Sequence, residues 1–231
     1  MHMKIVVNHL TRMQPGYICV AGIDLEKNTH IRPVLPRARL TVDLLKRKKG
    51  PFDIAVVVDL GTVQPKGHRP EVEDHVFDPA HTKTEEEFSG DKFWKLLKSV
   101  SQANLIEIFG KQLEKHSNGC AVDEAKGSAS LGCLLPAISP RVFINSWGKV
   151  RAQVSDEKFN IDLSVTDLRL YKDDQKTPRS DLVENVNRRI GSGTGVILSV
   201  GLARAFQAKG DTVRRHWLQV NNFHLENNPV W

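Results

Sequence analysis

Apolar and polar residues alternate along the last third of the chain in a way that predicts a run of β-strands. Residues 142–144 form a short apolar run, and residues 150–154 and 159–165 alternate apolar with polar side chains. A period of two is typical of strands that bury one face. Residues 196–202 and 217–225 continue the pattern, so five strands are predicted in this part of the chain.

A helix is predicted between the third and the fourth of these strands. Thr177 suits its N-cap, Pro178 its first helical position and Gly191 a left-handed stop. An apolar stripe runs through residues 182–190. Three strands, a helix and two strands is the element order of an OB-fold barrel, a fold that binds oligonucleotides or oligosaccharides.

The first part of the chain indicates a second copy of this order with an insertion. Four stretches read as strands: residues 4–7, 17–25, 29–34 and 52–63. Thr84 and Glu87 have capping-box spacing, so a helix is expected to begin there. We therefore predict a mainly β fold with helices: two tandem OB-like β-barrels, each in strand-strand-strand-helix-strand-strand order. The first barrel, with a helical insertion, covers residues 1–138, and the second covers residues 139–231.

Charge and cysteine content narrow the class of protein. The 231 residues include 33 Lys and Arg against 27 Asp and Glu, a net charge of +6 that permits a polyanionic partner. The three cysteines show no close pair, which favours reduced thiols and a cytoplasmic protein. The densest apolar run, residues 54–58, is too short to span a bilayer, so no membrane partner is expected.

Basic side chains mark the candidate nucleic-acid contacts. In OB barrels, ligands meet the loop between the first two strands and the loop between the last two. One group of candidates lies in a basic loop of the first half, and a second group lies around the last loop of the second half. These residues are Arg37, Arg39, Arg47 and Lys48 in the first half, and Arg204, Lys209, Arg214 and Arg215 in the second. Each is either a phosphate contact or a solvated surface charge. Arg32, on a predicted strand, either reaches a phosphate or pairs with an acid on the neighbouring strand.

Four aromatic residues are candidates for stacking on bases: Trp147, Phe159, Tyr171 and Trp217. Stacking contributes about 1–3 kcal/mol per base, but an aromatic residue on a strand usually belongs to the core. We expect Trp147, beside Gly148 in the predicted first loop of the second barrel, to be the exposed exception.

The segment from Glu71 to His75 is the one dense group of potential metal ligands in the sequence. A metal-dependent nuclease would use such groups to hold a cation and activate water. No spacing here matches a known metal motif, and a solvated acidic loop is the stronger interpretation. No Ser-His-Asp order reads as a catalytic triad, and no thiol has an evident activating partner.

Five stretches of mostly strand residues carry a resemblance to a known family. They are residues 9–13 (His-Leu-Thr-Arg-Met), 18–24 (Ile-Cys-Val-Ala-Gly-Ile-Asp), 31–34 (Ile-Arg-Pro-Val), 197–206 and 216–225. In these the chain resembles a prokaryotic family of dual-OB-fold proteins described as binding nucleic acid. The resemblance covers nearly the full length and implies two OB-like barrels and a nucleic-acid ligand. It implies no catalytic residues.

Taken together, the sequence predicts a nucleic-acid-binding protein without catalytic activity or cofactor, with single-stranded DNA or RNA as its ligand. Two alternatives stay open. One is a metal-dependent nuclease that uses the segment from Glu71 to His75. The other is a protein-protein interaction module. The oligomeric state is not predicted.

Overall fold

A computed structural model describes residues 2–116, 119–208 and 210–231 of the chain. The described residues form two β-sheets of eight and nine strands with three α-helices, so the predicted mainly β fold is confirmed. No described helix is long and apolar enough to cross a bilayer.

The first sheet is built from the first 87 residues. Its strands are β1 (His2–Arg12), β2 (Tyr17–Asp24), β3 (His30–Val34), β4 (Leu40–Thr41), β5 (Val56–Thr62), β6 (Gln64–Pro65), β7 (Asp74–Val76) and β8 (Lys83–Glu87). They lie in the order β6-β7-β3-β2-β1-β5-β8, and β4 pairs with β2. Only Val63 separates β5 from β6 in the chain, yet four strands lie between them in the sheet. The sheet therefore curls back on itself around its core.

The second sheet reproduces the predicted order of elements after residue 140. Its elements there are β13 (Arg141–Ile144), β14 (Val150–Ser155), β15 (Asn160–Val165), α3 (Ser180–Gly191), β16 (Val196–Leu202) and β17 (Arg215–Leu225). The strands pair in the order β13-β14-β15-β17-β16, and β15 and β17 run parallel. The outer edge of β13 is covered by α3, where Asn187 Oδ1 accepts the Val142 N–H at 3.2 Å.

The segment between these two groups joins the second sheet, so we call the first sheet with its loops the first unit and the second sheet with its helices and loops the second unit. It contains α1 (Gly90–Val100), β9 (Ser101–Gln102), α2 (Leu105–Phe109), β10 (Glu114–His116), β11 (Gly119–Asp123) and β12 (Leu131–Leu134). β12 pairs with β16 and β9, and β11 pairs with β17. The boundary at residues 138 and 139 stays a prediction, but strands that precede it hydrogen-bond with strands that follow it.

The basic loop between β4 and β5 contains two 3₁₀ turns, Val42–Leu44 and Lys46–Lys48. Two local expectations are corrected. The predicted helix start at Thr84 is wrong because β8 is held as a strand by antiparallel pairing with β5. The helix begins instead after Ser89, whose Oγ accepts the Lys92 N–H at 3.3 Å. Helix α3 begins at Ser180, with Arg179 as its N-cap, rather than at Pro178 with Thr177 as its N-cap.

The two sheets meet where β1 lies against β16 and β17, a contact that we call the junction. Beyond Val6, β1 no longer pairs with β5 in register, so one edge of its second half needs other partners. Asn222 supplies them at Leu10: its Oδ1 accepts the Leu10 N–H at 2.8 Å, and its Nδ2 donates to the Leu10 carbonyl at 3.3 Å. Ser199 Oγ donates to the Asn8 carbonyl at 2.9 Å. The junction is therefore buried and polar.

Three histidines at the junction, His9, His30 and His224, have pKa values lowered by burial and are held in the neutral form. His9 is fully buried, and its Nδ1 accepts a hydrogen bond from Asn221 Nδ2 at 3.0 Å. Burial lowers the pKa of His9 well below its ordinary value of 6.5, and the neighbouring His30, His224 and Arg32 act in the same direction. Burial likewise lowers the pKa of His30 to about 4. Protonation therefore favours the unfolded chain.

We expect the protein to lose stability in mild acid. A folded-state pKa below the unfolded value means that the contribution to stability is complete above pH 6.5. It is lost as the pH falls toward the folded-state pKa, at up to about 1.4 kcal/mol per pH unit for each histidine. Urea unfolding at pH 7 and pH 5 measures this loss.

The variant His9→Asn keeps an acceptor for Asn221 and removes the titrating ring, so its stability should depend less on pH than that of the wild type. His68→Asn, at an exposed histidine, is the matched control and should leave the dependence unchanged. An equal loss of stability in the wild type and in His9→Asn would contradict the assignment.

Candidate nucleic-acid interface

A cleft of about 730 Å³ lies between the two units, and we call it the basic cleft. Its walls come from residues 32–40, 66, 68, 69, 71 and 74 of the first unit and from residues 124, 125, 204, 205, 214 and 216 around β11 and β17. Seven cationic side chains line it: Arg32, Arg37, Arg39, Lys66, Arg69, Arg204 and Arg214. Three acidic side chains, Glu71, Asp74 and Glu124, also line it, so positive charge exceeds negative charge by four.

The outer part of the cleft carries cations that point into solvent. Arg37, Arg39 and Arg69 are all exposed. Neither Arg37 nor Arg69 makes an ion pair or hydrogen bond with another described side chain. The Arg39 guanidinium lies 5.8 Å from the centroid of the Tyr17 ring. Lys66 Nζ donates to the Pro36 carbonyl at 3.2 Å, which connects the two segments that the first unit contributes to the cleft.

At the bottom of the cleft the arginines are already paired with acids. Arg32 lies opposite Asp74 in the parallel pair β3–β7, and its Nε donates to Asp74 Oδ1 at 2.5 Å. Arg204, from the other unit, donates to Asp74 Oδ2 at 2.7 Å and lies 2.9 Å from Glu71 Oε1. Of the two interpretations of Arg32, the structure shows the ion pair with an acid on the neighbouring strand.

The acidic segment is buried rather than solvated, which corrects the expectation of a solvated loop. Glu73 accepts hydrogen bonds from Ser130 N at 2.8 Å, from Ser130 Oγ at 2.7 Å and from Leu131 N at 3.2 Å. Burial raises the pKa of Glu73 despite these bonds. Among the described residues no group of three or more His, Cys, Asp or Glu side chains is arranged to hold a metal ion. The acids of this segment bond neighbouring strands to each other and the first unit to the second.

The other predicted contacts have different surroundings. Arg214 is exposed in the cleft, and its Nη2 donates to the Ala205 carbonyl at 2.7 Å. Arg215 does not line the cleft and is held by Asp123 at 3.2 Å and Asp211 at 2.8 Å. Lys209 lies outside the described residues.

Two predicted contacts of the first unit also lie away from the cleft. Arg47 and Lys48 belong to a 3₁₀ turn and are exposed, and Arg47 Nη1 lies 2.6 Å from Asp173 Oδ1. Conversely, the sequence reasoning missed Lys66 and Arg69. Both lie in the polar stretch that follows β6. Two cations close together in that stretch were the sequence signal that could have identified them as candidate phosphate contacts.

The aromatic residues divide as expected. The side chain of Trp147 is 82% exposed in the turn between β13 and β14, whereas Phe159 and Tyr171 are buried. Asn145 Oδ1 holds this turn by accepting the N–H groups of Trp147 and Lys149. Trp147 and Lys149 line a second depression of about 520 Å³ together with Arg12, whose neighbour Met13 lines the basic cleft.

One exposed aromatic was not singled out from the sequence. Phe206 is 48% exposed in the loop between β16 and β17. Its ring centroid lies 6.4 Å from that of Trp217, which is partly buried. Its position between Arg204 and Arg214 in an OB-type loop was the signal that could have identified it.

Comparison with known protein families agrees with this architecture. No curated protein matches the chain. One similar solved structure is described as the Ifi202 HINa domain in complex with 20-base-pair double-stranded DNA. It has a TM-score of 0.36 and 9% sequence identity over 97% of this chain and 94% of that chain. The model of the dual OB-containing domain family matches residues 3–223, and the chain therefore belongs to that family.

Proposed function

We propose that the protein binds nucleic acid in the basic cleft, that its ligand is single-stranded, and that it acts without catalysis. The observation that carries this proposal is the convergence of cations from separate segments of two units on one concave surface. Clefts lined by one sign of charge raise the local concentration of oppositely charged ligands. A phosphate backbone is the polyanion that OB folds commonly bind.

The second depression supports a single strand as the ligand. Trp147 presents almost its whole side chain to solvent, with the exposed Lys149 beside it. A positively charged groove combined with an accessible aromatic ring is the usual arrangement for holding unpaired bases. Because Arg12 of this depression and Met13 of the basic cleft are consecutive in the chain, we infer that one strand contacts both. In a duplex, the bases are stacked on one another and their faces are not free for Trp147.

The bonding of the acidic segment argues against a nuclease. Both Asp74 oxygens accept from arginines, and both Glu73 oxygens accept from Ser130. A catalytic cation would have to displace these partners before these carboxylates could ligate it.

We expect single-stranded oligonucleotides to bind with a strong dependence on salt. Each neutralised phosphate of a single strand contributes about −0.7 to the slope of log K against log salt. Replacing Arg37 and Arg39 together with Ala should therefore make the slope shallower by about 1–1.5 units. Fluorescence anisotropy titrations at several salt concentrations measure the slope.

The matched control is the double variant Arg47→Ala and Lys48→Ala, which removes the same charge outside the cleft. It should leave the slope nearly unchanged. If both double variants changed the salt slope equally, binding would depend on the overall charge of the protein and not on the basic cleft. If the wild type shows no saturable binding at low salt, the interaction-module alternative takes the place of this proposal.

Trp147→Ala should weaken binding of a single strand by about tenfold while leaving the salt slope unchanged, because stacking releases no counterions. Trp147→Phe keeps an aromatic face and should restore most of the affinity. The same anisotropy titrations measure both variants. An altered slope in Trp147→Ala would show that this residue does not act by stacking.

Labelled DNA and RNA should remain uncut when they are incubated with the protein and Mg²⁺ or Mn²⁺, since the carboxylates around Asp74 are engaged by protein groups. Gel electrophoresis of the products is the measurement. Cleavage that Glu71→Ala or Asp74→Ala abolishes would support the nuclease alternative instead.

A further inference from the structure

Two buried nitrogen atoms at the bottom of the basic cleft lack a hydrogen-bond partner among the described residues. They are Nη2 of Arg32 and Nε2 of His216. Both side chains are more than nine-tenths buried, and both residues line the cleft. Buried polar groups in proteins nearly always have a partner, so two such atoms in one cleft point to a ligand that supplies it.

The two atoms offer complementary chemistry. Arg32 uses Nε for Asp74, which leaves the hydrogens of Nη2 to donate. His216 Nδ1 lies 2.9 Å from the Ala203 carbonyl. Because a carbonyl only accepts, Nδ1 carries the proton, and in the neutral ring Nε2 presents a lone pair. A ligand with an acceptor and a donor on one edge satisfies both atoms.

Charge separates the cleft into two parts. We define the floor as Arg32, Glu71, Asp74, Arg204 and His216. Its two arginines balance its two carboxylates, so with His216 neutral the floor carries no net charge. The rim consists of the remaining charged residues: Arg37, Arg39, Lys66, Arg69, Arg214 and Glu124. Five cations against one acid make the rim strongly positive. A phosphate on the floor would lie beside two carboxylates, whereas on the rim it would lie among cations.

We infer that the floor binds the edge of one nucleobase while the rim holds the phosphates on either side of it; this rests on the proposed function. Ile18, Leu35, Pro36 and Ala205 add apolar wall for the flat faces of a base. The volume of about 730 Å³ lies within the range of about 300–1,000 Å³ that small-molecule sites occupy. A base enters such a cleft only when it is unstacked and unpaired, so the ligand is a single strand.

Arg204 controls access to the floor. Its side chain is 52% exposed, whereas those of Glu71 and Asp74 are no more than 10% exposed, so Arg204 is the outermost member of the floor. The two unpartnered nitrogens are shielded from water in the free protein. The base reaches them when the Arg204 guanidinium moves outward, where a phosphate of the same strand can hold it.

A preference for base identity tests this inference. Stacking tolerates every base, whereas hydrogen bonds to a base edge discriminate between bases. Anisotropy titrations would compare dA, dC and dT homopolymers, an alternating dG-dT strand and an abasic strand of equal length. We expect the wild type to prefer one base-carrying strand over another by about tenfold or more. Trp147→Ala should weaken all the base-carrying strands alike.

Two conservative variants identify the atoms. Arg32→Lys keeps a cation for Asp74 but lacks Nη2, and His216→Asn keeps a donor for the Ala203 carbonyl but lacks Nε2. Each folded variant should lose the preference between bases, and His216→Gln, which restores a polar group at the Nε2 position, should recover part of it. In the wild type, the ¹⁵N resonance of His216 Nε2 should shift with the preferred strand and stay in place with the abasic strand, a readout that needs no variant.

The outcomes separate the two proposals. Binding that depends on salt but shows no preference between bases overturns the base site and leaves the proposed function standing. A preference that survives in folded Arg32→Lys and His216→Asn, or an unmoved His216 resonance, also overturns the base site. No binding of any strand, including the abasic strand, overturns the proposed function itself.

Discussion

The arrangement of the two units around the cleft depends on one carboxylate. Asp74 accepts from Arg32 of its own sheet and from Arg204 of the other unit, and it is almost fully buried. A buried carboxylate is stable only when it is paired and hydrogen-bonded, so removing either arginine would leave charge uncompensated. The same contact closes the bottom of the cleft and neutralises it. The positive potential that remains is therefore confined to the rim, where side chains are free to move.

The junction fixes the distance between the walls of that cleft. Strand β1 has hydrogen-bond partners in both units. Its first half pairs with β5, and its second half bonds to side chains of β17 and β16. Asn222 replaces a missing strand by bonding both backbone groups of Leu10. Such contacts require specific partners, unlike apolar packing, and they give the two units one relative orientation. The cleft has a defined shape only because this orientation is fixed.

The sequence could predict features with local causes. The alternation of residues 150–165 and the apolar stripe of α3 depend on near neighbours, and the order of elements after residue 140 was correct. The exposure of Trp147 followed from its place in a short turn. Residues 83–87, by contrast, have helix-cap spacing and yet form a strand, because β5 offers a pairing edge. Arg32 meets an acid 42 positions away. Contacts between residues so far apart in sequence determine which arginines are unpaired and able to bind a ligand. A local sequence pattern gives no information about such contacts.

Joint protection of both walls by a single strand is the central claim, and hydrogen–deuterium exchange tests it most directly. With a saturating single-stranded oligonucleotide at low salt, the account predicts slower amide exchange in residues 35–40 and in residues 204–208, which come from different units. The turn at residues 46–49, outside the cleft, should exchange at its original rate. Protection confined to one unit, or protection of that turn without the cleft walls, would contradict the account.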